Sequence, residues 1–149
     1  QLLLKILQER VGSLISYSSL AEDIWIASNT VKKYIEILEN LYIIFRVSPF
    51  SKNIARAIKK ESKVYFFDTW MIKWDDWIKF ENLVWLSLLK DCMAKKDMLW
   101  EDISLNFLRT KDWKEIDFCI CKNDELENII EVKNSDSNFS KNLFFFWEK

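Results

Sequence analysis

The sequence contains no histidine, one proline and one glycine, Gly12. The lack of histidine excludes nucleophilic sites in which a histidine activates a serine or a cysteine. The scarcity of glycine excludes a glycine-rich loop that cradles phosphate. The three cysteines are an odd number without repeated pair spacing, which argues against a disulfide framework and indicates a reducing, cytoplasmic environment. Three cysteines without any histidine also argue against a four-ligand zinc site. The longest apolar runs, residues 41–45 and 143–147, are too short to cross a bilayer, so we expect no membrane partner.

Tryptophan is abundant where glycine is scarce. A chain of this length averages roughly ten glycines, whereas this one has one glycine and eight tryptophans. Several tryptophans stand in predicted turns, namely Trp25, Trp70, Trp74, Trp77 and Trp113. A tight Asp-Gly turn needs a positive φ, which glycine adopts easily and a bulky side chain does not. Because some bacteria read the UGA codon as glycine, we hypothesise that these tryptophans are mistranslated glycines. The alternative is a core rich in aromatic residues.

Charge is distributed unevenly along the chain, although the net charge is only -1. Residues 1–63 carry ten lysines and arginines against six acids, whereas residues 64–149 carry twelve against seventeen. Most of the positive excess comes from Arg46, Lys52, Arg56, Lys59, Lys60 and Lys63. Such a density of cations favours phosphate binding through counterion release. A solvated lysine-rich face is the alternative interpretation.

The first half of the chain has the pattern of a helix-turn-helix followed by two strands. A short helix is predicted to begin with residues 2–7 and to end near Gly12, and two amphipathic helical segments follow it. The apolar face of the second segment is predicted to contain Val31, Tyr34, Ile35 and Leu38. We expect Ser18 or Ser19 to cap the first segment and Ser28 to cap the second. The predicted strands LYIIFRVSPF and SKVYFFDT then flank the basic segment. This order predicts a winged helix-turn-helix over residues 1–70.

A winged helix can contact nucleic acid or pack against protein. In the first interpretation, the helix that begins near Ser28 enters a groove and the cations of the wing contact the phosphate backbone. The predicted contacts are Asn29, Thr30, Lys32, Lys33, Arg46, Lys52, Arg56, Lys59 and Lys60. Two acids on the same helix, Glu36 and Glu39, dilute its positive charge, so protein packing is the alternative.

The second half of the chain predicts one helix and three strands. The segment FENLVWLSLLKDCMA predicts a helix of three to four turns. Its apolar face is expected to contain Phe80, Leu83, Val84 and Leu88. Strands are predicted in ISLNFLRT, EIDFCICK and ELENIIEVK, the last two joined around residues 122–125. We expect a partial helix-plus-sheet domain over residues 78–149, truncated at its C-terminal end, and an α/β (α+β) fold for the chain.

Charged residues interrupt two of these apolar strands. Asp117 shares a strand face with two cysteines, which we expect to be buried, while Glu131 and Lys133 share a face of the next strand. The opposite face of the first strand is predicted to carry Ile116, Phe118 and Ile120. Antiparallel pairing brings the two carboxylates together, and two neighbouring carboxylates repel unless a cation such as Mg²⁺ lies between them. Asp117 and Glu131 are therefore candidate metal ligands. The alternative is a solvated strand face.

Three strings of the sequence, preceded by a winged-helix pattern ending in KVYFFDTW, carry a resemblance to a known family: FENLV, LRTKDWKEIDFCI and IIEVK. They resemble the C-terminal domain of unknown function that follows the ATPase module in a large family of bacterial and archaeal AAA-type ATPases. The similarity covers nearly the whole chain, with tryptophan after KD and after FFDT where the family has glycine. The resemblance implies a PD-(D/E)xK restriction-endonuclease-like domain.

By the same resemblance, Asp117 and Glu131 bind the metal, Lys133 is the catalytic lysine and Glu81 is the acid of the helix. The resemblance also implies an ATPase module as a partner, and ATP is expected only in that module because its phosphate-binding loop is absent from this sequence. The leading expectation is a nucleic-acid-facing portion of an AAA-type ATP-binding protein that carries a Mg²⁺-dependent nuclease site and can assemble as a homo-oligomer. The alternatives are a non-catalytic DNA-binding or protein-interaction module and a winged-helix regulator.

Overall fold

The computed structural model describes residues 1–51, 61–73, 75–109 and 114–133. Within them the chain is mixed α/β, with four α-helices and two three-stranded antiparallel sheets. The α-helices are α1 (Leu2–Glu9), α2 (Tyr17–Ile24), α3 (Ser28–Asn40) and α4 (Asp76–Leu99), and Thr69–Met71 forms a 3-10 turn. The strands are β1 (Leu14–Ile15), β2 (Ile44–Val47), β3 (Ser62–Phe66), β4 (Ile103–Arg109), β5 (Glu115–Lys122) and β6 (Glu125–Ile130). None of the described helices is both long and apolar enough to span a membrane.

The chain divides into two units, and the division falls within α4. The first unit contains Gln1–Val47 and Glu61–Leu86, and the second contains the described parts of Ser48–Lys60 and Ser87–Lys149. The sequence placed the boundary earlier, between residues 70 and 78. The N-terminal part of α4 therefore belongs with the first sheet.

The first three helices bury short apolar stripes and expose the rest of their surfaces. On α3, Val31 and Ile35 lie one turn apart and are fully buried, as the helical period predicts. Tyr34, predicted on the same face, is about half exposed. The predicted caps are wrong by one to three residues, because α2 follows Ser16 and α3 follows Ala27. The two helices and their connecting turn are otherwise present as predicted.

The first sheet places its last strand at the centre. β3 pairs with β1 on one side and with β2 on the other, both antiparallel. In the register, Leu14 of β1 and Val47 of β2 both pair with Lys63. The central strand is apolar and fully buried from Val64 to Phe66, as expected for a strand covered on both faces.

Helix α4 is longer than the sequence predicted, and its N-terminal half turns a different side inward. It has 24 residues. Of the predicted apolar face, Phe80 and Leu83 are about half exposed, whereas Leu88 packs against buried residues of the second unit. The fully buried residues of its first half are Asn82 and Trp85. The amide of Asn82 donates to the Phe66 carbonyl at 2.7 Å and accepts from the Phe66 N–H at 2.8 Å. These two bonds explain why a polar residue faces the core.

The second sheet has the order β4-β5-β6. The predicted connection between its last two strands is confirmed as a two-residue hairpin, with φ of 52° at Asn123 and 61° at Asp124. Two positive φ values are typical of the type I′ turn, which matches the twist of the flanking strands. One face of this sheet packs against α4 through Cys92 and Leu88.

Candidate functional site

Asp117 lies where β5 departs from regular pairing. Along β4, Asn106 pairs with Cys119 and Leu108 pairs with Ile116, so one residue of β4 faces two residues of β5. The extra residue is a β-bulge at positions 117 and 118, a feature that bends a strand and re-aims its side chains. The alternation predicted from the sequence is therefore wrong at Ile116, which joins the cysteines in one buried cluster instead of facing away from them.

The backbone beyond β6 passes directly beside Asp117. The register of β5 and β6 pairs Phe118 with Ile130, so the next step along both chains sets Asp117 against Glu131. The Asp117 carboxylate accepts a hydrogen bond from the Val132 N–H, with Oδ2 and the nitrogen 3.1 Å apart. The backbone of the residue between Glu131 and Lys133 is thus fixed to Asp117.

Glu131 and Lys133 form an ion pair next to this hydrogen bond. The Lys133 Nζ lies 2.8 Å from the Glu131 Oε1. The Glu131 side chain is only 13% exposed, whereas that of Lys133 is 43% exposed. The ammonium group can therefore neutralise the more buried carboxylate while it remains accessible to a ligand from solvent.

The donor atoms at this place are of the type that Mg²⁺ prefers. Carboxylate oxygens from Asp117 and Glu131 are hard ligands, and Mg²⁺ is commonly held by one or two carboxylates with water in its other positions. Across the part of the chain that the structure describes, no three His, Cys, Asp or Glu side chains come together as a metal-binding group. The carboxylates that would hold such an ion are those of Asp117 and Glu131, which contact the Val132 N–H and the Lys133 ammonium group respectively.

Glu81, the fourth predicted site residue, is described within the first unit. Its Oε1 accepts a hydrogen bond from the Tyr65 hydroxyl at 2.9 Å. A methyl group added at Gly12, whose φ is 74°, would lie 3.4 Å from the same carboxylate oxygen. Tyr65 and Asn82 were not predicted from the sequence. A lone asparagine beside Glu81 in an apolar helix was the available signal for Asn82.

The cysteines of β5 behave as buried apolar residues, which confirms the prediction made for them. Cys119 and Cys121 are buried, with their sulfur atoms 4.0 Å apart. The hydrogen bond to Cys121, together with burial, raises the pKa of the Cys119 thiol above its ordinary value. Burial likewise raises the pKa of Cys92. A raised pKa disfavours the thiolate, which is the form that binds metals and attacks electrophiles.

The residues predicted to contact nucleic acid fall into three groups. On α3, Asn29, Lys32 and Lys33 are exposed and Thr30 is partly exposed. The Lys32 Nζ lies 3.9 Å from the Glu36 Oε1. These four side chains occupy the first two turns of one helix, as predicted. Four cations of the predicted wing, Lys52, Arg56, Lys59 and Lys60, lie outside the described residues.

Arg46 forms the third group, and it is held inside the first unit. Its guanidinium donates to both carboxylate oxygens of Glu39, at 2.8 and 2.6 Å, and to the Tyr17 hydroxyl. Burial by itself would lower the pKa of Arg46, but the hydrogen bonds and charge of Glu39 raise it above its ordinary value. This geometry favours a structural role for Arg46 in joining α3 to β2.

A comparison with known families matches the first half of the chain. A family model described as a domain of unknown function (DUF8612) matches residues 1–74. The matched residues contain α1 to α3 and the whole first sheet, and the match ends before α4 begins. No curated protein and no solved structure matches the chain. The first half of the chain is therefore similar to this family, whose description states no activity.

Proposed function

We propose that the chain is a nucleic-acid-facing portion of an AAA-type ATP-binding protein, with a winged helix over residues 1–70 and a restriction-endonuclease-like domain over residues 78–149. In this proposal the second domain carries a Mg²⁺-dependent phosphodiesterase site at Asp117, Glu131 and Lys133. ATP belongs to a separate module of the same protein. The observation that carries the proposal is the hydrogen bond from the Val132 N–H to Asp117, between Glu131 and Lys133.

The arrangement of the first unit supports a winged helix. Its elements follow in the order α1, β1, α2, α3, β2 and β3, and its sheet has the order β1-β3-β2. The second helix of a helix-turn-helix is the one that enters a groove of DNA. Here that helix is α3, and its N-terminal side chains Asn29, Lys32 and Lys33 are exposed. They are therefore available for base or phosphate contacts.

The chemistry of the second unit suits phosphodiester hydrolysis. Asp117 and Glu131 would hold Mg²⁺, which when bound stabilises negative charge on the phosphate and makes an attacking water more acidic. The Val132 N–H fixes the direction of the Asp117 carboxylate. Lys133, held by Glu131 and partly exposed, can place a positive charge against a phosphate oxygen.

The site is tested by nuclease assays on the purified chain. Single-stranded and double-stranded DNA and RNA are incubated with the protein in Mg²⁺ or Mn²⁺, and products are separated on denaturing gels. We expect cleavage to fall on the order of 100-fold in Asp117→Asn, since that change removes a charged ligand while keeping the side-chain shape. Asp97→Asn, at an exposed position in the last turn of α4, is the matched control and should cleave normally.

Two outcomes would count against the site. Equal cleavage by the parent and Asp117→Asn would mean that the activity arises elsewhere, in this chain or in a contaminant. Loss of cleavage in Asp97→Asn as well would mean that the assay reports general damage to the protein. Circular dichroism of each variant shows whether the fold is retained.

A second candidate function is a protein-interaction module, and one observation favours it. Tyr34, Ile37 and Leu41 of the α3 segment are 48%, 51% and 62% exposed. They recur at helical spacing and form an apolar stripe on the surface of the helix that would otherwise contact DNA. A groove of DNA offers few partners for such a stripe, whereas another protein surface would bury it. The two functions predict different responses of binding to salt, as developed below.

A further inference from the structure

Two tryptophans occupy backbone conformations that favour glycine. Trp25 and Trp100 both have φ of 56°, in the left-handed region. In this region the Cβ atom of an L-residue comes too close to the following carbonyl oxygen, and glycine avoids the clash because it has no Cβ. A tryptophan at either position is therefore strained whatever surrounds its ring.

Trp25 ends helix α2 in a hydrogen-bonding pattern that glycine usually completes. The Ile26 N–H donates to the Ala21 carbonyl at 3.1 Å, and the Trp25 N–H donates to the Glu22 carbonyl at 3.4 Å. This pair of bonds is the Schellman motif, in which the residue at the position of Trp25 is left-handed and most often glycine. Trp100 likewise follows the last residue of α4. Both residues are thus helix terminators.

The indole rings at these positions gain nothing from packing. Trp25 is 92% exposed and Trp100 is 91% exposed. Trp85 differs completely, because it is fully buried and its ring lies 4.9 Å from that of Tyr65. A large apolar ring left in water loses the burial energy that normally accounts for tryptophan in a fold.

The other side chains at positive φ have local reasons to be there. Asn123 and Asp124 form the hairpin turn, and these residue types tolerate the left-handed region. Tyr42 is at φ 54°, but its ring packs edge-on against Phe67 at 5.5 Å. Trp25 and Trp100 combine the strained backbone with an almost fully exposed ring. This combination distinguishes them from the rest.

We propose that positions 25 and 100 are glycines in the protein as its own cells make it, encoded by UGA codons, and that position 85 is a genuine tryptophan encoded by UGG. The sequence has one glycine and eight tryptophans. This is the composition expected when glycine codons of the UGA type are translated as tryptophan. Glycine at both positions ends α2 and α4 without strain. It also removes two exposed indoles, so neither ring marks a docking site.

The proposal is tested first on the gene and on the protein from its source cells. The codons at positions 25, 85 and 100 are read from the nucleotide sequence, and peptides that span them are weighed by mass spectrometry. We expect UGA at positions 25 and 100 with peptide masses that correspond to glycine, and UGG with a tryptophan mass at position 85. UGG at position 25 or 100, or a tryptophan mass there, overturns the proposal.

A second test measures thermal stability in the complete 149-residue chain. We expect Trp25→Gly and Trp100→Gly each to raise Tm by about 2–8 °C. Trp25→Ala and Trp100→Ala are the matched controls, and because they keep the Cβ atom they should raise Tm less than the glycine variants do. Trp85→Gly should lower Tm or abolish folding. Glycine variants that melt at or below the parent Tm contradict the proposal.

Discussion

Asn82 is a single polar residue on which the packing of α4 against the first sheet depends. Its side chain is fully buried, and both its donor and its acceptor bind the backbone of Phe66. A buried amide is costly unless it is hydrogen-bonded, and here both of its polar groups have partners. The residue therefore fixes the rotation of α4 about its axis.

Replacing Asn82 by alanine should destabilise the protein by about 1–3 kcal/mol, because the Phe66 N–H and carbonyl would be left buried without partners. Urea unfolding followed by circular dichroism measures the loss. Asn40→Ala, an exposed asparagine at the end of α3, is the matched control and should change stability by less than about 0.5 kcal/mol. Equal losses in both variants would show that the hydrogen bonds to Phe66 contribute little.

The thiol of Cys119 should react slowly in the folded protein. Its pKa is raised by the hydrogen bond to Cys121 and by burial, so little thiolate forms near pH 8. We expect iodoacetamide to modify Cys119 far faster in urea than in buffer. Rapid modification of Cys119 in buffer would contradict the prediction.

Sequence patterns predicted the single residues that follow simple periodicity and missed those that depend on tertiary contacts. Val31, Ile35 and the buried cysteines followed from spacing and residue type. The burial of Asn82 did not, since its partners belong to a strand 16 residues away. The consequence was a wrong apolar face for the first half of α4, where Phe80 and Leu83 are about half exposed.

At the scale of elements, Arg46 joins α3 to β2. The bidentate pair with Glu39 spans seven residues of sequence, and each side chain is only about a quarter exposed. Partial burial reduces screening by solvent, and the two parallel hydrogen bonds fix the geometry. The pair therefore sets the angle at which the strand leaves the helix.

A double-mutant cycle measures what this pair contributes. Arg46→Met and Glu39→Gln, alone and together, should show a coupling free energy of about 1–3 kcal/mol in urea unfolding, because either single change leaves a partly buried charge without its partner. The pair Lys95 and Asp91 on α4, also in contact but more exposed, is the control and should couple more weakly, because solvent screens an exposed ion pair. Equal coupling in both cycles would argue against a special role for Arg46.

The elements themselves were largely predictable, whereas their irregularities were not. Alternation and turn residues predicted β4, β5, β6 and their hairpin, because those signals are local in the sequence. The bulge at positions 117 and 118 depends on how β4 aligns with β5, and no local pattern marks it. The contact between Asp117 and the segment after β6 was nevertheless predicted, because β5 and β6 are joined by a hairpin and pair as antiparallel neighbours.

At the scale of the whole molecule, the two candidate functions differ in their electrostatics. Binding to nucleic acid releases counterions, so the affinity should fall steeply with salt, whereas binding through the apolar stripe of α3 should change little. We expect the dissociation constant for duplex DNA, measured by fluorescence anisotropy, to rise at least tenfold between 50 and 200 mM salt if about three or more phosphates are contacted.

Variants of the α3 surface connect this dependence to particular residues. Lys33→Gln should weaken binding and reduce the slope of log affinity against log salt by about one. Lys90→Gln, at an exposed position of α4, should leave both unchanged. Binding of another protein that is insensitive to salt and is lost in Ile37→Ser would instead favour the protein-interaction module.

The bulge in β5 restricts insertions and deletions of residues in this strand. The side-chain pattern of a strand reverses with every residue added or removed, and the extra residue at positions 117 and 118 is what turns Ile116 to the same side as Cys119. Deleting one residue there would send Ile116 to the opposite side and carry Glu115 inward. Homologous chains that keep this sheet should therefore conserve the number of residues between Ile116 and Cys119, even where the residues themselves differ.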